Sequence, residues 1–151
     1  MDEAIRNLKW TDEATKQMLQ NVVKRKRKFD RYKLWHLIIL WTTVLFSLLY
    51  IALIYKEVVN PYSYSFAAMF SAFLGLSMNE WALVFLFALF GYMNVLKKKV
   101  DKYEKEYHLL RCEIIDKAKD LWRTEEEWKN RHLVFEMMKA KYDINLYHEN
   151  K

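Results

Sequence analysis

Residues 34–55 read LWHLIILWTTVLFSLLYIALIY, a run of 22 positions without Asp, Glu, Lys or Arg. As a helix rising ~1.5 Å per residue it covers about 33 Å, enough to cross a hydrocarbon core of ~30 Å. A buried helix of a soluble bundle is usually shorter and keeps a polar stripe. Here only His36, Thr42, Thr43 and Ser47 interrupt the apolar surface. A second run, WALVFLFALFGYMNVL at 81–96, ends on Lys97, Lys98 and Lys99. It covers about 24 Å, a deficit that long flanking lysines and local thinning make up. Between the runs, residues 62–78 are also apolar. A separate crossing, the front half of one long second helix, or a segment lying at the interface would each explain them.

Outside these runs the pattern becomes amphipathic. In the N-terminal arm Ala14, Met18, Val22 and Phe29 recur near helical spacing. Thr11 is the expected cap, with Asp12 and Glu13 in the first turn where the helix dipole favours negative charge. No Gly or Pro interrupts residues 12–59, so this helix is free to run into the first apolar run. In the C-terminal arm Val100, Tyr107, Ile114, Leu121, Trp128, Phe135 and Tyr142 repeat every seven residues. The companion column is Tyr103, Leu110, Lys117, Thr124, Arg131, Met138 and Asn145, and more than half of it is polar. That argues against a regular two-stranded coiled coil but predicts one buried face, with the N-terminal arm as its partner. The sequence TEEEW at 124–128 carries a capping box, Thr124 with Glu127. It predicts a joint near residue 123 and helices of about 97–122 and 125–147, a continuous rod being the alternative. WTDEATK and WRTEEEWK share capping chemistry but are too short to establish a repeat.

Charge and composition turn this pattern into a topology. Two glycines and one proline in 151 residues predict long helices with few joints. Residues 1–33 carry ten basic and five acidic side chains; residues 34–96 carry one Lys and two Glu; residues 97–151 carry fourteen basic and twelve acidic. Taken alone, KRKRK at 24–28 reads as a nuclear or nucleic-acid signal. Its place directly before a long apolar run, matched by the lysines at 97–99, makes it a membrane edge instead. Lys24, Arg25, Lys26, Arg27, Lys28, Arg31, Lys33, Lys97, Lys98 and Lys99 are therefore assigned to orientation and to anionic headgroups, at ~1 kcal/mol per residue near the surface. Nucleic acid is not an expected partner.

Both basic flanks belong on the cytoplasmic side, which requires an even number of crossings. Two crossings leave Glu80 at the outer interface and avoid the roughly 2.5–3.5 kcal/mol of an acidic residue at mid-bilayer. Trp35, Tyr55 and Trp81 then fall at interfacial levels. The first run is not a cleavable signal, being too long and too far from the start, with no small-residue cleavage pattern after it. The expected architecture is all-α: a cytoplasmic basic helix at 1–33, membrane helices at 34–55 and 81–96, an external segment at 56–80, and cytoplasmic amphipathic helices at 97–151. The two arms should pack on each other.

Candidate chemistry is sparse. Ala67, Ser71 and Gly75 form a small-residue ladder that allows close helix approach. His108 and Cys112 stand four apart, but no second ligand pair supports a metal. Glu104, Glu106, Glu113, Asp116 and Asp120 alternate with lysines, as on an ion-paired surface. One cysteine permits no intrachain disulfide. Nucleophile elbows, HExxH, CxxC and Gly-rich phosphate loops do not occur. The sequence therefore points to a non-enzymatic membrane protein without cofactor, an anchored helical module binding another copy or another protein. The alternative is a subunit of an oligomeric channel or transporter, in which Glu80, the Ala67/Ser71/Gly75 ladder, Thr42, Thr43 and Asn94 would line a path.

WTDEATKQML, the basic arm, the two-run hairpin and the Lys-rich re-entry into a charged tail together resemble the uncharacterised YpbF-like family of small Bacillus membrane proteins. The resemblance covers nearly the whole chain. It implies a bacterial plasma-membrane location and supplies no catalytic residues.

Overall fold

The computed structural model describes residues 2–147, and within them the chain is helical with no strand. A single turn, α1 (Glu3–Arg6), leads to the long helix α2 (Glu13–Ile54). A π-helical turn at Tyr55–Val59 and a last turn α3 (Asn60–Tyr62) extend it. Helix α4 (Phe66–Gly75) is short, α5 (Asn79–Asp116) is long, α6 (Ala118–Leu121) is one turn, and α7 (Glu125–Tyr142) closes the helical part.

The wide turn has a local cause. Pro61 carries no amide hydrogen, and its ring crowds the carbonyl four residues back. Expanding the preceding turn, where the Asn60 amide donates to the Tyr55 carbonyl five residues away, makes the room. The expected joint is also present. Thr124 Oγ1 accepts from the Glu127 amide at 3.2 Å, and the Thr124 amide donates to Glu127 Oε2 at 3.1 Å. The continuous-rod alternative is thereby excluded.

Several boundaries differ from expectation. The cap of α2 is Asp12, whose Oδ1 accepts from the Thr15 amide at 2.8 Å; Thr11 is buried instead. Helix α5 stops at Asp116, short of residue 122, because Trp122 turns inward and is 1% exposed. The carbonyls freed by that turn find side-chain donors: Thr15 Oγ1 on Leu121 O at 3.2 Å and Arg123 Nε on Asp120 O at 2.9 Å. Helix α7 ends at Tyr142, with Asp143 in the left-handed region at φ 55° and the Ile144 amide reaching the Met138 carbonyl. Asp tolerates that conformation better than most residues. Ile144 and Leu146 then alternate back into the core.

The chain divides into two units. The first holds the described residues up to Tyr32 and from Val100 onward; the second is Lys33–Lys99. In the first, Leu19, Val22 and Val23 of α2 pack with Tyr107 and Ile114 of α5, Trp122, Val134, Phe135 and Met138 of α7, and Ile5 of α1. The buried stripe on α2 runs through Thr15, Leu19, Val22 and Phe29, one position off the Ala14–Met18 stripe; Ala14 is exposed. The offset follows from Thr15, a polar residue that the hydrophobic pattern skips and that the Leu121 carbonyl holds inside.

In the second unit α2 and α5 run antiparallel, with Phe46 edge-on to Phe85 at 5.0 Å. The ten residues of α4 rise about 15 Å. That is too short for a crossing, and the break at 76–78 separates α4 from α5. Residues 62–78 are thus not the front of the second long helix.

Truncating Trp122 to alanine removes the largest fully buried side chain, which for a buried aromatic costs ~3–5 kcal/mol. Thr124→Ala, which deletes only the cap, should cost ~1 kcal/mol. Denaturant unfolding of the full chain in micelles, followed by near-ultraviolet circular dichroism, checks both values and their order.

Candidate functional site

The basic run lies within α2, and four consecutive cations in it hold other parts of the first unit. Arg25 donates to the Glu106 carbonyl at 3.0 Å. Lys26 pairs with Asp30 at 3.0 Å and Asp143 at 3.5 Å, and its ammonium lies 5.8 Å from the ring centres of Phe29 and Tyr107. Its side chain is only 15% exposed. Burial pulls the Lys26 ammonium down, but the Asp30 hydrogen bond and the Asp143 charge outweigh this and raise its pKa. Arg27 binds Asp2 at 2.7 Å and covers Tyr142, while Lys28 stands 4.3 Å over Tyr103.

The remaining cations divide. Lys24, Arg31 and Lys98 are exposed. Lys33, Lys97 and Lys99 are exposed as well, and each takes part in a polar or ring contact. The ten residues therefore do not form one uniform set: Arg25 to Lys28 make contacts within the helical bundle, and the others do not share those contacts as a group.

The seven-residue column enters the core of the same unit. Val100, Tyr107, Ile114 and Phe135 are buried, and Leu121, Trp128 and Tyr142 are half-buried against it. Phe29 stacks on Tyr107 at 6.3 Å and Trp122 meets Phe135 edge-on at 5.4 Å. The column is consumed largely within the chain, so it is a face for the protein's own arms more than for a separate partner.

The second unit has the opposite character. Trp41, Leu45, Leu48, Leu49 and Ile51 of α2 and Trp81, Phe87 and Phe90 of α5 are exposed. Its polar groups are satisfied locally. Thr42, Thr43 and Ser47 donate to the carbonyls of Ile38, Ile39 and Thr43, and Asn94 Nδ2 donates to Phe90 O. Glu80 is exposed in the first turn of α5. Ala67, Ser71 and Gly75 lie on exposed surface of α4, and a side chain grown on Gly75 would meet nothing within 4 Å.

Two residues gained importance that pattern alone did not give them. Asn79 is buried; the Tyr50 hydroxyl donates to its Oδ1, and its Nδ2 donates to the Phe73 carbonyl at 3.1 Å. This clasp ties α2, the end of α4 and the start of α5. An Asn directly before a charged residue reads as a loop position, and no sequence signal pairs it with Tyr50. Elsewhere, His108 faces Glu104 at 4.0 Å and Cys112 is half-buried. Among the described residues no three His, Cys, Asp or Glu side chains gather around a common point; His148 lies outside those residues.

Asp2 offers a pH handle on the bundle. Hydrogen bonding from Arg27 holds its carboxyl below the usual aspartate value of 3.8, against a smaller opposing effect of burial. A depressed folded pKa gives stability that is complete above about 3.8 and is lost as pH falls through the folded value. Asp2→Asn should therefore lower the unfolding midpoint at pH 6–7, and the gap to the parent chain should close as pH falls below the usual aspartate value. Thermal unfolding of both proteins across that range measures it.

The comparisons with known proteins identify a family. A family model described as "Protein of unknown function (DUF2663)" matches residues 18–149. A protein of Bacillus subtilis (strain 168), described as "Uncharacterized protein YpbF", is 39% identical over 156 residues, covering 94% of this chain and 93% of that protein. No solved structure matches. The matched region takes in most of α2, both apolar runs and the whole C-terminal arm, so the resemblance carried by the basic arm and the Lys-rich re-entry is borne out: the chain belongs to the DUF2663 family, with YpbF of Bacillus subtilis among its relatives.

Proposed function

We propose that the protein is a small, non-enzymatic integral membrane protein of the cell membrane. It crosses twice, keeps both termini in the cytoplasm and carries a cytoplasmic helical bundle that serves as an interaction module. The observation that carries this reading is the contrast in burial. Two helical stretches, Glu13–Tyr62 and Asn79–Asp116, are long and apolar enough to cross a membrane, and only 6% and 11% of their most apolar windows are buried. A core helix of a soluble protein would be mostly covered. Contiguous apolar surface of this extent is rarely left to water.

Hydrogen bonding supports the same setting. In hydrocarbon an unsatisfied polar group costs several kcal/mol. The threonines, serine and asparagine of the apolar runs close their bonds on their own helix. That suits a lipid-facing surface and leaves little for a polar conduction path. The exposed Lys24, Arg31 and Lys98 are the cations best placed to meet anionic headgroups and to enforce orientation. The bundle would then recruit or hold another copy or another protein at the membrane surface; it offers the exposed Trp10, Leu109 and Leu133, and the outer faces of the half-buried Leu121 and Trp128.

Cysteine labelling tests the topology, since Cys112 is the one cysteine in the chain. A membrane-impermeant maleimide should leave Cys112 unlabelled in intact cells and label it after permeabilisation. Tyr64→Cys, at a site 79% exposed and placed in a Cys112→Ser background, should be labelled in intact cells. The reverse pattern would sink the two-crossing reading. For the interaction role, in-membrane crosslinking should capture a defined partner or a second copy, and Trp128→Asp should abolish the adduct.

A further inference from the structure

Where the π-helical turn ends α2, the second unit contains a cleft of about 300 Å³. Leu53, Leu76, Met78 and Ala82 give it an apolar wall; Tyr50, Asn79, Ser77 and Glu57 give it a polar one. Tyr50 and Asn79 are hydrogen-bonded to each other, and Asn79 to the Phe73 carbonyl, so that part of the polar wall is preorganised. Glu57 sits on the π turn, half-exposed, with the Lys56 ammonium 3.8 Å from its Oε1. A lysine 81% exposed at that distance is a loose pair that solvent screens. The cleft thus presents the Glu57 carboxylate next to a greasy wall, and the Lys56 ammonium, which does not line it, stands outside beside that carboxylate.

We propose that this cleft binds one phospholipid with a primary-amine zwitterionic headgroup, of the phosphatidylethanolamine class. The assignment rests on the membrane reading above and on charge complementarity. The lipid ammonium donates hydrogen bonds to Glu57, its phosphate pairs with Lys56, and an acyl chain follows Leu53, Met78 and Ala82. Exchanging the loose Lys56–Glu57 pair for two charge-assisted contacts leaves neither side chain unpaired. A phosphatidylcholine has no N–H to donate to the carboxylate. A phosphatidylglycerol carries no cation and leaves Glu57 facing a net negative ligand. Selectivity among the three headgroups therefore follows from the site's chemistry and not from apolar contact alone.

The full chain, delipidated in mild detergent and mixed with equimolar phosphatidylethanolamine, phosphatidylcholine and phosphatidylglycerol, should retain one phosphatidylethanolamine in native mass spectrometry. Glu57→Gln is nearly isosteric at a half-exposed position. It should lower that retention about tenfold, as expected for loss of a charged hydrogen bond, and remove the preference over phosphatidylcholine. Lys56→Gln should weaken phosphatidylethanolamine binding, and Ala82→Leu should block the cleft to all three lipids. Equal retention of the three lipids, or a preference unchanged in Glu57→Gln, overturns the proposal. If Cys112 and Tyr64→Cys label as a two-crossing protein while selectivity is absent, only the lipid site fails; if the labelling fails, the membrane reading falls first.

Discussion

The pairing of α2 with α5 is the interaction on which both units rest. In the first unit it brings Phe29 onto Tyr107 and Thr15 onto the Leu121 carbonyl. In the second it sets Phe46 against Phe85 and Tyr50 against Asn79. The same two helices meet in the same antiparallel sense in each. What changes is the chemistry of the faces they leave outward. The first unit adds α1, α7 and the Ile144–Leu146 segment to cover its remaining apolar surface. The second adds only the short α4, and its other faces stay apolar and open.

That difference explains which parts were legible in the sequence. A 22-residue run without formal charge and a column repeating every seven residues are long-range signals, and averaging over many residues makes them robust. The capping box at Thr124 and Glu127 is local, but each residue has one job there, so it too could be read. The misses share a different cause. Thr15, Trp122 and Asn79 are placed by single contacts with residues distant in sequence. Ile144 and Leu146 depend on one left-handed aspartate. No periodicity announces such contacts, and a threonine scored as polar puts the start of the inferred stripe on α2 one position off, at Ala14, while Val22 and Phe29 stay on it.

The basic run shows how one sequence feature can serve two purposes. Read as composition, Lys24 to Lys33 is a single cluster. On a helix its members point in different directions, and the neighbours differ accordingly. Lys26 falls on the buried stripe between Val22 and Phe29, where it survives because Asp30 and Asp143 match its charge and two aromatic rings flank it. A buried charge without such partners would be costly. Arg27 ties down the chain start through Asp2, and Lys28 meets Tyr103. Replacing the whole run would therefore change bundle packing together with any effect on orientation.

Polar groups in the second unit obey a stricter rule than those in the first. The bundle leaves many charged side chains to solvent and uses others at a distance. In the apolar unit Thr42, Thr43, Ser47 and Asn94 each donate to a carbonyl one turn back on their own helix. The Tyr50–Asn79–Phe73 clasp is the exception, reaching across three elements. It joins the last turns of α2, before the π-helical turn at Tyr55–Val59, to the start of α5, where the chain changes direction between apolar helices. A single asparagine satisfies the free Phe73 carbonyl and the Tyr50 hydroxyl together, which only a side chain with both a donor and an acceptor can do. Aspartate would keep the acceptor but lose the donor, and leucine would lose both. The direction change and the cleft beside it therefore depend on that one amide, which makes Asn79, more than the exposed Glu80 next to it, the residue that shapes this end of the unit.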